Sequence, residues 1–184
     1  GQRIVDAFLE RLMLQWFDEI TLDSVAEDAG VTVQTVVRRF GGKEGLLSES
    51  VKTLAEQINA CRQSPLGELN RIIESLFDDY EKTGDAVIRL LALESRHAAV
   101  KRITDFGRGE HRKWLATVFA KDLENLKSNK RELALDALVL VTDVYAWKLL
   151  RRDMQRSLAE ARETMNLLIK ASTAQLFNEK GDGQ

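Results

Sequence analysis

The chain of 184 residues is 44% hydrophobic and 30% charged, with a formal net charge of −2, one proline and one cysteine. This length allows one or two small domains with a hydrophobic core, and the near-neutral charge excludes nucleic-acid binding through bulk positive charge alone. We find no signal peptide and no apolar run of about 18 residues that could span a membrane. The scarcity of turn signals predicts long helices, so we expect an all-α protein of the cytoplasm.

The lone cysteine, Cys61, excludes an intramolecular disulfide framework and fits a reducing compartment. A free cysteine usually behaves as a small hydrophobic residue, although a sensor thiol is the alternative.

The first motif begins with a short helix over residues 22–29, whose apolar side chains recur at helical spacing. Thr21 precedes this helix as its N-cap, and Gly30 supplies the left-handed residue that ends it. Val31 then fills the corner of a tight turn. This segment predicts the first half of a helix-turn-helix.

A second short helix follows over residues 33–40, with Thr32 as its N-cap. Val36 and Phe40 are spaced to face inward. The positions left to face outward are Gln34, Thr35, Arg38 and Arg39. The alternative is a plain pair of packed helices. The next segment, Gly41-Gly42-Lys43-Glu44, favours DNA reading, because it offers a new helix N-terminus beside a lysine, and such termini bind phosphate.

On these residues the chain from Ile4 to Leu47 resembles the DNA-binding domain of the TetR family of bacterial transcriptional regulators. The resemblance matches Ile4–Phe8 to the family's first helix, residues 21–29 to its second, 30–32 to the turn, 35–40 to the recognition helix and 43–47 to the start of its fourth. It implies an all-α fold of about nine helices, with a three-helix DNA-binding domain and a C-terminal bundle for ligand binding and dimerisation.

Three positions depart from the family pattern. Val37 stands where the family usually has a tyrosine that reaches a phosphate, Arg39 stands for a histidine, and Gly41-Gly42 replaces a Pro-Ser type pair. Arg39 can supply a charged contact in place of the missing tyrosine contact.

Residues 1–50 carry five Lys and Arg against nine Asp and Glu, a balance of −4. We expect modest affinity for DNA, with Arg38, Arg39 and Lys43 on phosphates and with Val33 and Gln34 on base edges. The full predicted DNA-binding set is Thr21, Thr32, Val33, Gln34, Thr35, Val37, Arg38, Arg39 and Lys43.

Beyond residue 47 the apolar periodicity predicts further helices and no repeat. The fifth ends at Thr83-Gly84, the sixth covers residues 86–104, a break falls at 106–109, and the seventh follows from residue 111. The eighth covers 132–153 and the ninth 158–177.

The eighth predicted helix is apolar around most of its circumference, so it needs burial on more than one side. A second subunit supplies that burial most simply, although a thick monomer core is the alternative. The ninth helix adds the stripe that we predict at the dimer interface: Leu158, Ala161, Met165, Leu168, Ser172 and Leu176.

An enzyme is the competing class, because Glu94 and His97 form an i, i+3 pair of the kind that ligates iron or manganese in helical bundles. Such a site needs two pairs and two more glutamates, and the sequence has only one pair. We therefore expect no metal, no cofactor and no catalytic activity.

The resemblance implies that the C-terminal helices enclose a small-molecule effector. Amphipathic aromatic and polar residues predict a mainly apolar pocket with a few polar groups, and hence an uncharged or weakly charged effector. The predicted effector-binding residues are Phe77, Tyr80, His97, Phe106, Trp114, Thr142 and Tyr145.

We therefore expect a DNA-binding domain at residues 1–47 and a ligand-binding and dimerisation domain at 48–184. The expected function is a ligand-responsive transcriptional regulator, a repressor that binds a palindromic operator as a homodimer. The alternative is a helical interaction module of the same fold that has lost specific DNA reading.

Overall fold

The structure, a computed structural model, describes residues 1–61, 68–124 and 126–178, and these ranges contain helices and connecting loops but no strand. The predicted all-α class is confirmed. The helices are α1 (Gln2–Leu14), α2 (Leu22–Ala29), α3 (Val33–Phe40), α4 (Lys43–Cys61), α5 (Leu69–Leu93), α6 (Ala98–Val118), α7 (Ala120–Leu123), α8 (Ser128–Thr142), α9 (Val144–Lys148) and α10 (Leu158–Asn178), with a 3-10 turn at Phe17–Glu19 and a π-helical turn at Leu149–Asp153.

The chain divides into two compact units. The first unit comprises Gly1–Ala60 and Asp85–Gly107, and the second comprises Cys61–Gly84 and Arg108–Gln184. Helices α5 and α6 therefore each contribute residues to both units. The predicted DNA-binding domain, residues 1–47, lies wholly within the first unit, and its boundary after residue 47 stays a prediction.

The first unit has an apolar core to which each of its first four helices contributes. Fully buried side chains from these helices are Phe8, Val25, Val36, Leu46 and Leu47. Burial of one such side chain stabilises a fold by about 1.5–3 kcal/mol relative to its exposure. The segments of α5 and α6 in this unit add Leu90, Leu93 and Val100 to the same core.

The predicted turn between α2 and α3 is confirmed. Thr21 Oγ1 accepts a hydrogen bond from Ser24 N at 3.1 Å, and Thr32 Oγ1 accepts one from Thr35 N at 3.3 Å, so each threonine caps its helix as predicted. Gly30 ends α2 with φ 63°, a left-handed conformation that favours glycine. The local sequence therefore fixes both ends of this turn.

The prediction that a helix ends at Thr83-Gly84 is wrong, because α5 runs without interruption from Leu69 to Leu93. Gly84 serves close packing instead of helix termination. A Cβ at this position would lie 2.5 Å from Cζ3 of Trp147. Thr83 also fits within the helix, since its hydroxyl donates to the carbonyl oxygen of Asp79 at 3.0 Å.

The predicted break at residues 106–109 is also wrong, since α6 continues from Ala98 to Val118. Each glycine in a helix interior costs about 1 kcal/mol relative to alanine. Buried side chains on either side of this stretch, Thr104 before it and His111 and Leu115 after it, favour the continuous helix.

The predicted helix over residues 132–153 is interrupted at Asp143, where the backbone is extended with ψ 153°. The carboxylate of Asp143 accepts a hydrogen bond from Tyr145 N at 2.8 Å and so caps α9. The π-helical turn then completes the segment. Because the helix direction changes at this break, apolar residues before and after it need not share one helix face. Leu138 before the break and Trp147 after it are both buried.

Candidate DNA interface and effector site

Helix α3 presents one face away from the core of the first unit. Gln34, Val37 and Arg38 are exposed on this face, while Val36 on the opposite side is fully buried. Within the described part of the chain, these three exposed side chains make no hydrogen bond or ion pair. This face, called the recognition face below, can therefore bind a partner without breaking a side-chain hydrogen bond or ion pair of the fold.

The predicted DNA residues at the start of α3 differ in their surroundings. Val33 is half-buried and packs against the core of the first unit, so it is not the exposed side chain that its position predicted. Thr32 and Thr35 join their hydroxyl oxygens at 3.0 Å. Thr21 is exposed beside α2, and Arg39 is exposed with its guanidinium carbon 6.0 Å from the centre of the Phe40 ring.

The side chain of Lys43 points back into its own unit. Its Nζ donates to the carbonyl oxygen of Asp18 at 3.2 Å and lies 4.4 Å from the centre of the Phe17 ring. Burial lowers the pKa of this amine below its ordinary value. A phosphate contact by Lys43 requires the amine to leave Asp18.

Two further basic residues hold the first unit together. Arg3 donates to the carbonyl oxygen of Ala29, the last residue of α2. Arg11 donates to both carboxylate oxygens of Asp28, at 2.6 and 3.0 Å, and this hydrogen bonding lowers the pKa of Asp28. These contacts attach α1 to α2. Of the five basic residues in positions 1–50, Arg38 and Arg39 are therefore the two that are exposed on α3 without such a contact within the unit.

The second unit contains a buried polar cluster. The hydroxyl of Tyr80 donates to the carbonyl oxygen of Thr142 at 3.0 Å, an oxygen that the break at Asp143 leaves without the usual helical donor. The hydroxyl of Thr142 donates to Leu138 O at 2.7 Å and lies 2.9 Å from Nε2 of His111. Since that hydroxyl has one proton, Nε2 of His111 must donate to it.

The structure brings only some of the predicted effector residues together. Phe77, Tyr80 and Thr142 are buried in the second unit, and Trp114 is half-buried with its ring 5.7 Å from the His111 ring. The assignment of these residues to effector binding stays a prediction. Tyr145 belongs to the same unit but is 53% exposed.

His97 and Phe106 belong to the first unit, whereas this cluster belongs to the second. Phe106 is 47% exposed, and His97 Nε2 lies 2.7 Å from Asp18 Oδ1. The buried histidine of the second unit is His111, which the predicted effector set missed. Its spacing from Trp114 and Leu115, at i, i+3 and i+4, was the signal that could have identified it.

A second set of contacts, which the sequence did not reveal, surrounds Glu81 on α5. Its carboxylate accepts from Nε1 of Trp147 at 2.9 Å and from Arg151 at 2.6 and 3.1 Å. The hydrogen bonds from Arg151 lower the pKa of Glu81. Arg152 covers the other side of the indole, with its guanidinium carbon 4.4 Å from the ring centre.

The predicted dimer residues on α10 fall into two groups. Ala161 and Met165 are fully buried within their own chain, whereas Leu168 is 43% exposed. Leu158 and Ser172 are half-buried, and the side chain of Leu176 lies outside the described residues. Large exposed apolar side chains on α8 and α10, which pack against each other, are Leu133, Leu140, Leu167 and Leu168.

The Glu94 and His97 pair does not converge on a common point. Glu94 accepts from the hydroxyl of Thr104 at 2.7 Å, while His97 pairs with Asp18. Among the residues that the structure describes, no group of three or more His, Cys, Asp or Glu is placed to hold a metal ion. None of the described helices is both long enough and apolar enough to cross a membrane.

Two capped helices joined by a glycine turn, with an uncovered polar face on the second, define a helix-turn-helix DNA-binding protein. Residues 4–49 match the family model described as bacterial regulatory proteins, tetR family. The chain is 27% identical over 148 residues to the HTH-type transcriptional regulator BetI of Burkholderia ambifaria, an alignment that covers 74% of this chain and 76% of that protein. These matches support a transcriptional regulator of the TetR family, with its DNA-binding domain at residues 4–49.

Solved structures agree on the fold. A crystal structure described as that of a transcriptional regulator from Pseudomonas aeruginosa PAO1 superposes with a TM-score of 0.74 at 19% identity, covering 97% of this chain and 92% of the other. A TetR-family transcriptional regulator from Streptomyces coelicolor superposes with a TM-score of 0.72 at 20% identity, covering 96% of this chain and 79% of the other.

Proposed function

We propose that this TetR-family regulator is a cytoplasmic repressor that binds a palindromic operator as a homodimer and is released by a small, mainly apolar effector. The observation that carries the proposal is the uncovered face of α3, where the exposed side chains of Gln34, Val37 and Arg38 make no hydrogen bond or ion pair with the described residues. A glutamine can make a bidentate contact with adenine, and an arginine can bind guanine or phosphate.

A two-fold dimer is supported by the exposed leucines of α8 and α10. Leu133, Leu140, Leu167 and Leu168 lie on helices that pack against each other within the second unit. Such a surface is self-complementary when a second copy adds its own pair of helices. A dimer of this kind places two recognition helices on half-sites about 34 Å apart, or a small multiple of that distance.

The effector is supported by the cluster around Thr142. In this cluster the buried polar groups of Tyr80, His111 and Thr142 are joined by hydrogen bonds, and the aromatic ring of Trp114 lies beside His111. A ligand of this site would be mainly apolar, with one polar group that replaces a hydrogen bond of the cluster. Release from DNA then follows if the ligand binds the DNA-free conformation more tightly than the DNA-bound one.

The second candidate, an interaction module without operator reading, is favoured by the charge of the N-terminal 50 residues. Residues 1–50 carry a balance of −4, and Lys43 is engaged with Asp18 instead of facing outward. This candidate predicts only weak binding to DNA with no preference among sequences.

The deciding experiment selects binding sites from random DNA and footprints the best of them. The proposed function predicts one enriched palindrome, bound by a dimer. The Gln34→Ala variant should relax the preference at one base pair of each half-site by about 1–3 kcal/mol. The absence of any enriched sequence would reject operator binding and favour the interaction module.

A further inference from the structure

We propose that Val37 reads the C5-methyl group of a thymine in each half-site, which makes it a specificity-determining residue of this regulator. The proposal rests on the proposed function, because it requires a specific operator. In this proposal, the apolar side chain on the uncovered face of α3 contacts the methyl group of a base.

Val37 differs from the other apolar residues of α3 in its exposure. It is 44% exposed, whereas Val36 is fully buried and Val33 and Phe40 are half-buried. Its neighbour one turn earlier, Gln34, is exposed as well. Val37 therefore stands on the recognition face and contributes little to the core.

The chemistry of a valine limits what it can recognise. Its side chain has no donor or acceptor, so it cannot bind a phosphate or the polar edge of a base. In the major groove the apolar group is the C5-methyl of thymine, and aliphatic side chains discriminate bases through contact with it. A valine in place of the family's usual tyrosine thus exchanges a phosphate contact for a base contact.

The neighbours of Val37 on the helix surface support a base-reading position. Gln34 lies three residues before it, and Arg38 directly follows it, so an apolar group sits among two polar ones. Gln34 is suited to adenine, and on the helix surface residues three apart are adjacent. We therefore place the thymine methyl next to the base pair that Gln34 reads.

Val33 is the competing methyl reader, since it precedes Gln34 at the start of the helix. Its side chain is half-buried and packs against the core of the first unit, whereas Val37, one turn later on the same side of the helix, is 44% exposed. The structure thus assigns methyl reading to Val37 and core packing to Val33.

The test uses the full chain and the operator obtained by selection. Each thymine of the half-site is replaced in turn by deoxyuridine, in both half-sites together, which removes only the methyl group. Affinities are measured for wild type, Val37→Ala and Val33→Ala. Val33→Ala is the matched control, because it shortens the same residue type one turn earlier on the same helix, where the side chain packs against the core.

At one thymine position, the wild type should lose about fourfold in affinity per methyl group, as expected for one buried apolar carbon. The Val33→Ala variant should show the same loss, and the Val37→Ala variant should bind the thymine and uracil operators equally. Circular dichroism checks that both variants are folded.

Three results would overturn the proposal. The wild type could bind every uracil operator as well as the thymine operator, Val37→Ala could retain the full loss, or Val33→Ala could abolish it. In each of these cases the operator itself stands, so the proposed function survives. A wild type without any enriched operator would instead reject the proposed function together with this proposal.

Discussion

His97 Nε2 lies 2.7 Å from Asp18 Oδ1, while the carbonyl oxygen of the same Asp18 accepts the Nζ hydrogen bond of Lys43. The ring of His97 also meets the Phe17 ring edge-on, with 5.9 Å between their centres. The short turn between α1 and α2 is therefore held from two directions, by the segment that links α5 to α6 and by the first residue of α4.

The first prediction concerns this turn. The His97→Ala variant should lower the free energy of unfolding by about 0.5–1.5 kcal/mol, the usual net contribution of one hydrogen bond. It should also weaken operator binding, although His97 is not on the recognition face, because the turn positions the start of α4. Thermal unfolding and operator titration measure both effects.

The control is Lys101→Ala, which breaks the exposed pair of Lys101 with Asp105 at 2.6 Å. It should leave both quantities almost unchanged, as is usual for surface ion pairs. Equal effects from the two variants would contradict the role given to His97.

The second prediction separates Lys43 from Arg39. If only Arg38 and Arg39 reach phosphates, a dimer makes about four contacts and the slope of log K against log salt is about −3.6. Arg39→Ala should then flatten the slope by about 1.8 units. Lys43→Ala should reduce stability but leave the slope unaltered, because its amine faces Asp18. A flatter slope for Lys43→Ala would mean that the amine leaves Asp18 in the complex.

The third prediction is a pH dependence at Glu81. Its pKa is lowered in the folded state by the hydrogen bonds from Arg151. The carboxylate therefore stabilises the fold at pH values above its unfolded pKa of about 4.3, and this contribution is lost as the pH falls from there through the folded pKa. Urea unfolding of wild type and Glu81→Gln should differ by about 1.5–3 kcal/mol at neutral pH.

This difference should shrink in acid. Asp136→Asn is the control, because it removes a carboxylate that also pairs with an arginine, Arg112, at 2.6 Å but is largely exposed. A difference between Glu81→Gln and wild type that does not change with pH would show that packing, and not charge, stabilises this site.

The fourth prediction tests the dimer. Leu168→Glu places a charge on the exposed apolar surface of α10, where it costs little in a monomer but is buried without a partner in the interface. Light scattering should show monomers, and operator binding should be lost. Leu14→Glu is the matched control, since Leu14 is 81% exposed in the first unit. A Leu168→Glu variant that remains dimeric would refute this interface.

The fifth prediction concerns the buried cluster. Thr142→Val keeps the shape of the side chain but leaves the Nε2 proton of His111 without its acceptor, at a cost of about 1–3 kcal/mol. Thr117→Val is the control, because the hydroxyl of Thr117 makes the same bond to its own helix, at 3.0 Å from Lys113 O, on an exposed face. If the cluster binds the effector, only Thr142→Val changes the effector concentration needed for release from DNA.

Features that depend on neighbouring residues were predictable from sequence. Thr21, Thr32 and Gly30 were assigned correctly, because a cap or a left-handed turn is decided within four residues. The interruption at Asp143 was missed, although Asp143 is itself an N-cap residue, because the apolar pattern continues through it.

Features that depend on a distant partner were not predictable. A glycine can end a helix or allow close packing, and only the position of Trp147 decides between these roles for Gly84. Lys43 shows the same limit, since its motif indicates phosphate binding while its position beside Phe17 directs it inward. His111 was left out of the predicted effector set for the same reason, since the sequence does not show that His97 meets Asp18 and that His111 meets Thr142.

The close fit of Gly84 beneath Trp147 has a consequence for the evolution of this family. Because a Cβ at position 84 would overlap the indole, a larger residue at position 84 requires a smaller side chain at position 147. Relatives with alanine or a larger residue at position 84 should therefore carry a smaller side chain at position 147, and such a pair is reached through one of two single changes. The less damaging route begins with glycine, since a glycine opposite a small side chain leaves a gap, whereas alanine opposite tryptophan creates a clash.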